Sequence, residues 1–155
     1  MTETWRTRFY RWSLNWFPVY RGTGGRITFV DGNMHEVRLR IPLNWTTRNY
    51  VGTTFGGSMY GAVDPIYMLM LIKLLGPDYI VWDKSASIQF RKPGREQLYA
   101  TFVIPPAEVD EIRAAVDAAG KIEREFEVAL VNGAGEVHAT CQKLLSIRRK
   151  RPQSP

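Results

Sequence analysis

Residues 49–64 read NYVGTTFGGSMYGAVD, and the next eleven read PIYMLMLIKLL. The first stretch reads as a glycine-rich loop with Asn49 at one end and Asp64 at the other. An apolar run, Ile66 to Leu75, follows at once. Glycines ahead of a buried helix let backbone amides come close to a ligand, and the helix dipole favours negative charge there. Asp64, set among apolar neighbours, is the best candidate for a catalytic carboxylate. Ile66, Met68, Leu69, Met70, Leu71, Ile72, Leu74 and Leu75 leave the helix apolar nearly all round. Such a helix is wrapped on most sides. Gly76-Pro77 ends it.

The flanking segments supply the wrapping. Arg26 to Val30 and Met34 to Ile41 are two strands joined at Asp31-Gly32-Asn33, a tight hairpin signal. In the second, Val37, Leu39 and Ile41 alternate with Glu36, Arg38 and Arg40, so one face is buried and one is wet. After the helix, Ala86, Ile88 and Phe90 alternate with Ser85, Ser87 and Gln89. Leu98 to Ile104 reads as a strand that Pro105-Pro106 breaks, and Ala107 to Ala119 as a surface helix. Ile122, Arg124, Phe126, Val128 and Leu130 alternate with glutamates. Asn132-Gly133 turns the chain into a last strand, Glu136 to Ile147. The expected fold is α+β, one antiparallel sheet curled around one long central buried helix. An extra N-terminal helix, about 4–17, precedes it. Trp5, Phe9, Trp12 and Trp16 share one face of that helix, and Pro18 ends it.

Length and composition set outer bounds. A chain of 155 residues that is 45% hydrophobic and 23% charged reads as one globular domain, 1–147. The single cysteine, Cys141, cannot form an internal disulfide, which favours a reducing, cytoplasmic setting. No signal peptide is evident. Met59 to Leu75 is not expected to span a membrane, because Asp64, Pro65 and Lys73 interrupt a short stretch. The net charge of +6 owes four positive charges to Arg148, Arg149, Lys150 and Arg151, in a basic tail, 148–155, read as disordered and solubilising. No base-reading module accompanies it, so no nucleic-acid partner is expected. The aromatic helix with its arginines suits a membrane surface, but packing on the domain or on a partner chain is the expectation. His35 and His138 read as ordinary histidines, and no residues have metal spacing. On a strand, His138 and Cys141 point to opposite faces and make no nucleophile pair.

Two motifs carry a resemblance. Asn49, Gly52, Thr53, Gly56 and Gly57, with Asp64 in the following helix, match N-x-x-G-T-x-(H)-G-G plus an acidic residue. Phe90, Arg91, Lys92 and Pro93 match F-x-(K/R)-P. With the order of elements, these residues make the chain resemble the hotdog fold, and within it the PaaI-type acyl-CoA thioesterases, over about 25–147. The resemblance implies hydrolysis of an acyl-CoA thioester, with coenzyme A as part of the substrate and no separate cofactor. It implies the Gly56 or Gly57 amide as the oxyanion donor. Asp64 would be base or nucleophile, its pKa raised by an apolar setting, and Asn49 would orient water or carbonyl. Thr53, Phe55, Tyr60, Ser87, Arg91 and Lys92 would contact substrate. Gly56 and Asp64, eight residues apart, lie about 12 Å apart along a helix. The family solves this with a dimer whose sites draw on both chains, so a homodimer or a tetramer of dimers is expected.

Three residues leave alternatives open. Phe55 stands where many family members carry histidine, and it cannot hydrogen-bond. A non-catalytic protein that binds acyl-CoA or fatty acid is therefore the rival reading. Asp64-Pro65 also reads as the N-cap and first residue of a new helical segment.

Overall fold

The computed structural model describes residues 2–150. Its strands are β1 (Arg26–Val30), β2 (Glu36–Ile41), β3 (Tyr79–Phe90), β4 (Leu98–Val103), β5 (Lys121–Val131) and β6 (Val137–Arg149). They form one antiparallel sheet in the order β1-β2-β4-β5-β6-β3. Period-two alternation gives the sheet its inner face: Val37, Leu39 and Ile41 on β2, Phe126, Val128 and Leu130 on β5, and Ala139, Cys141, Leu145 and Ile147 on β6 are buried. Against that face lies a single long helix, Gly56–Leu75, in two halves: α3 (Gly56–Val63) and α4 (Ile66–Leu75). Tyr67 anchors it, its ring stacked on Phe126 and edge-on to Phe102, its hydroxyl donating to the Glu127 carbonyl at 2.8 Å. A sheet curled around a long helix is the hotdog arrangement.

The helix differs from its sequence expectation in three ways. It begins at Gly56, so half of the presumed loop is helical. Asp64 and Pro65 both keep helical backbone angles, and Pro65 sits inside the helix. Proline there has no N–H for the carbonyl one turn back, which opens the ladder. The carbonyl that loses its donor is that of Gly61, and the buried Tyr20 hydroxyl donates to the next one along, Ala62, at 3.1 Å. Asp64 caps nothing, so the N-cap alternative is not realised. The helix is also not buried all round: Ile72 is exposed, and Leu69 and Leu74 are half-buried. By length and composition Gly56–Leu75 could cross a membrane, but here it is the helix the sheet wraps.

Along the β1 edge lies α1 (Trp5–Trp16), started by a capping box between Thr4 and Thr7. Pro18 ends α1 as expected and then opens a further short helix, α2 (Pro18–Gly22). Tyr10 and Leu14 of α1 pack on the core. Asn15 acts on the β1 edge as a neighbouring strand would. Its Nδ2 donates to the Ile27 carbonyl (2.9 Å) and its Oδ1 accepts from the Ile27 N–H (2.8 Å). Glu3 accepts from the Val30 N–H. One sheet edge is thus covered. The other edge, all twelve residues of β3, carries no such cover among the described residues.

The remaining helix, α5 (Pro106–Ala119), buries Val109, Ile112 and Val116. Arg148 and Arg149 do not belong to a tail. They end β6, paired with Ile80 and Tyr79, and Arg149 donates to Asp117 at 2.6 Å. The Lys150 N–H donates to the Asp78 carbonyl at 2.8 Å, and residues 151–155 of the expected tail lie outside the described residues.

Candidate active site

Asn49 builds the loop that leads into the central helix. Its Oδ1 accepts from the Val51 and Thr53 N–H groups (3.1 and 3.0 Å), and its Nδ2 donates to Thr53 Oγ1 at 2.9 Å. Three of the four hydrogen-bonding positions of an amide side chain are therefore spent on the loop. Asn49 is first an anchor, with one N–H left to offer. The Thr54 N–H donates to the Gly94 carbonyl at 2.8 Å and the Phe55 N–H to the Thr47 carbonyl at 2.7 Å, which fixes where the helix starts.

At that start the Gly56 and Gly57 N–H groups have no hydrogen-bond partner among the described residues. The first amides of a helix have none within it, and the dipole adds positive character there. Aromatic rings stand over both glycines. A Cβ on Gly56 would come 2.8 Å from Phe90 Cζ, and one on Gly57 would come 2.4 Å from Phe55 Cε1. Glycine is what lets the rings lie against the first turn. Phe55, the residue in the histidine position, thus gives a wall and no proton. A cavity of about 420 Å³ opens here, lined by Asn49, Thr53, Gly56, Met59, Phe90 and Arg91 among others. Both sequence motifs meet in it. No carboxylate lines it.

The carboxylate lies further along the helix. Asp64 Oδ1 accepts from the Tyr60 hydroxyl (2.7 Å) and from Lys143 Nζ (2.5 Å). Its Oδ2 accepts nothing among the described residues, and the side chain is 40% exposed. Lys143 comes from β6 and is only 2% exposed. It also lies 3.1 Å from Asp83 Oδ1 on β3, close enough for an ion pair though poorly aligned for a hydrogen bond. Burial disfavours the Lys143 charge, but Asp64 and Asp83 outweigh it and raise its pKa. Burial pushes Asp83 up against the pull of Lys143, and burial with the bond to Asp64 pushes Tyr60 up. Asp64 is thus not the lone carboxylate in an apolar setting that its sequence neighbours suggested. It is one arm of an ionic cluster around a buried ammonium.

Neither Lys143 nor Asp83 stood out in the sequence. The signal was present: Lys143 occupies the inward register of β6, between Cys141 and Leu145. A lysine in a core register is paired or functional, and rarely neither.

The other expected contacts divide. Tyr60 serves Asp64 and does not line the cavity, and Gly57 and Phe55 stand beside it. Ser87 is opposite Gln142 on β6, one residue from the inward Lys143, so it faces the outer side and not the cleft. Arg91 and Lys92 both line the cavity. Lys92 is ion-paired to Glu136, and Arg91 donates to Gln89. His138 is buried with Nδ1 3.1 Å from the Pro93 carbonyl, and His35 Nδ1 lies 2.7 Å from the Ile104 carbonyl. Among the described residues no cluster of His, Cys, Asp and Glu is arranged to hold a metal ion.

The fold has close structural relatives. A Pseudomonas aeruginosa protein of unknown function, PA5026, described as a probable thioesterase, superposes with a TM-score of 0.81 at 19% identity. The match covers 93% of this chain and 96% of that one. A Chlorobaculum tepidum protein of unknown function, OLEI01261, gives 0.74 at 17% identity over 94% and 95% of the two chains. The Haemophilus influenzae thioesterase HI1161 gives 0.69 at 12% identity over 99% and 97%. At these identities the likeness is one of fold alone, and that fold is the hotdog fold. No curated protein matches the chain by sequence. A family model does match, over residues 6–147, and the chain belongs to that family, described as a domain of unknown function (DUF4442).

Proposed function

We propose that the protein hydrolyses an acyl-CoA-type thioester, at sites that each draw on two copies of the chain. The observation that carries this reading is the unbonded amide of Gly56, opening on a cavity walled by Phe90, with the unbonded amide of Gly57 next to it. Such amides suit the oxyanion of a thioester under attack, because they need no reorganisation as charge develops. Asp64 Oδ2 would activate water or attack directly, while Tyr60 and Lys143 hold Oδ1. Water adds to the carbonyl carbon, the C–S bond breaks, and the thiol leaves with a proton. Arg91, at the cavity rim, suits the phosphates of coenzyme A.

The two halves of this machinery are about 12 Å apart along one helix. The bare β3 edge supports a remedy. Antiparallel pairing of β3 with its copy about an axis through Ser87 runs residue 87 against 87 and 86 against 88, and the bulge between Asp83 and Ser85 then brings 83 against 90. Asp83 would then lie beside the partner subunit's Phe90. Asp83 touches the Asp64 cluster and Phe90 touches Gly56, so each carboxylate would approach the partner subunit's Gly56. Hydrogen-bonding needs of an exposed edge favour the same pairing.

Phe55 and the engagement of Asp64 by Lys143 favour a second reading, a protein that binds acyl-CoA or fatty acid without hydrolysis. One experiment separates the two. The protein and Asp64→Ala are incubated with an acyl-CoA panel and a thiol reagent, and the native protein is examined by mass spectrometry. Hydrolysis by the parent alone supports the enzyme. Copurified acyl-CoA without thiol release supports the binder.

A further inference from the structure

Helix α1 turns its more apolar side outward. At 100° per residue, Trp5, Phe9, Trp12 and Trp16 fall within about 60° of arc, and Thr7, Tyr10 and Leu14 lie roughly opposite. The second group is the one that packs on the domain. The first stays in the open: Trp5 is 76% exposed, Phe9 65%, Trp12 55% and Trp16 55%. Phe17 and Val19 extend the patch into α2 and are exposed as well. Large aromatics left out of a core in one stripe mark a contact surface.

Charge indicates what the stripe meets. Arg6 and Arg8 flank it on either side, about 100° and 60° away. Arg6 lies over the Trp5 ring and Arg21 over the Trp16 ring, with guanidinium carbons 5.7 and 4.6 Å from the ring centroids. Arg6, Arg8, Arg11 and Arg21 face one acid, Glu3, so residues 2–22 carry a net 4 − 1 = +3. Glu3 itself is taken up by Arg11. Beside the stripe a groove of about 530 Å³ is apolar at Trp5, Phe9, Tyr10 and Met34 and cationic at Arg6 and Lys73.

We infer that α1 docks the protein on an anionic phospholipid surface. Tryptophan with an apolar body and a polar edge, flanked by arginine, is the composition of helices that lie at the headgroup boundary. The groove offers apolar walls and two cations, as an upper acyl chain and its phosphate require. A second copy fits less well, since a self-complementary contact through this face would set one +3 surface against another. Helix α1 lies along β1, at the sheet edge away from β3, so pairing of copies through β3 leaves its outward stripe uncovered. The inference stands apart from the hydrolase reading and survives its failure.

The test is co-sedimentation of the full chain with vesicles, read together with tryptophan emission. One set is phosphatidylcholine, and the other contains about one third phosphatidylglycerol to supply negative charge. The expected result is binding to the anionic set, a blue shift, and release by high salt. Trp12→Glu with Trp16→Glu, both at exposed positions, lowers partitioning about tenfold or more. Arg6→Glu with Arg8→Glu removes the preference for anionic lipid. No binding to either set overturns the inference, as does unchanged binding by the tryptophan variant. So does an assembly larger than a dimer that the tryptophan variant splits in the absence of vesicle binding, because the stripe is then a contact between copies.

Discussion

Lys143 Nζ lies 2.5 Å from Asp64 Oδ1, across 79 residues of sequence. This contact joins the central helix to β6, and through Asp83 to β3. The ammonium is buried, while both carboxylates reach solvent. The lysine therefore depends on its acids more than they depend on it. Asp64→Asn leaves Asp83 as counter-charge and is expected to cost about 1 kcal/mol or less. Removing both acids leaves a buried, uncompensated charge. The double variant Asp64→Asn, Asp83→Asn is expected to exceed the sum of its singles by about 1–3 kcal/mol. Urea midpoints for the four proteins decide it, and strict additivity would sink the cluster as a unit.

Stability is expected to fall on the alkaline side, and Tyr67 reports part of the fall. Burial pushes its phenol up to about 12, with Glu108 and Glu127 adding to the shift. The unfolded phenol loses its proton near pH 10. Between pH 10 and about 12 the folded state keeps a proton that the unfolded state has lost, so stability drops as pH rises. Lys143, also raised, acts with the same sign from its ordinary pKa upward. Tyr67→Phe is expected to make the slope shallower by about 1.4 kcal/mol per pH unit in that window. Urea titrations at several alkaline pH values measure it, and parallel slopes would contradict the assignment.

Gly56→Ala and Gly57→Ala test the two amides. Each added methyl would meet a phenyl ring, Phe90 or Phe55, and both rings are exposed and free to swing. Alanine also gains helix propensity over glycine, by about 1 kcal/mol. Stability is expected to change by less than about 1 kcal/mol. Displaced rings and a partly covered amide are expected to lower kcat/KM about ten- to a hundredfold. A loss of stability large enough to explain the lost rate would return the glycines to a packing role.

Much of the architecture was legible because it rests on period-two alternation. β2 and β5 announce their inner faces residue by residue, and Gly76-Pro77 marks where the helix must end. What was not legible came from tertiary context. Glycine's poor helix propensity hid the helical turns from Gly56 to Val63, which packing against the sheet makes worthwhile. Pro65 read as a beginning, yet it and Asp64 keep helical angles within the run Gly56–Leu75. The aromatic face of α1, expected to pack on the domain or on a partner chain, is left off the domain, where Tyr10 and Leu14 hold the helix instead. Lys143 escaped notice because a charged residue in a core register looks like a break in the pattern until its two acids are seen.

Sharing of the site between copies can be tested by mixing inactive chains. Asp64→Ala keeps its amides and lacks the carboxylate. Gly57→Trp keeps the carboxylate, while a bulky side chain closes the amides beside the Phe55 ring. Each is expected to be nearly inactive alone. If the amides of one chain work with the carboxylate of the other, a mixed dimer contains one intact site and one doubly damaged site. Random exchange makes about half of the dimers mixed, so the mixture is expected to recover about a quarter of parental activity per dimer. Unfolding and refolding the two chains together, then separating dimers by size with light scattering, prepares the sample. Ser87→Asp, which sets like charges close to the β3 axis, is expected to weaken the dimer and to lower this recovery with it. A site built within one chain predicts no recovery at any mixing ratio, and that result would dismiss the shared-site arrangement while leaving the fold untouched.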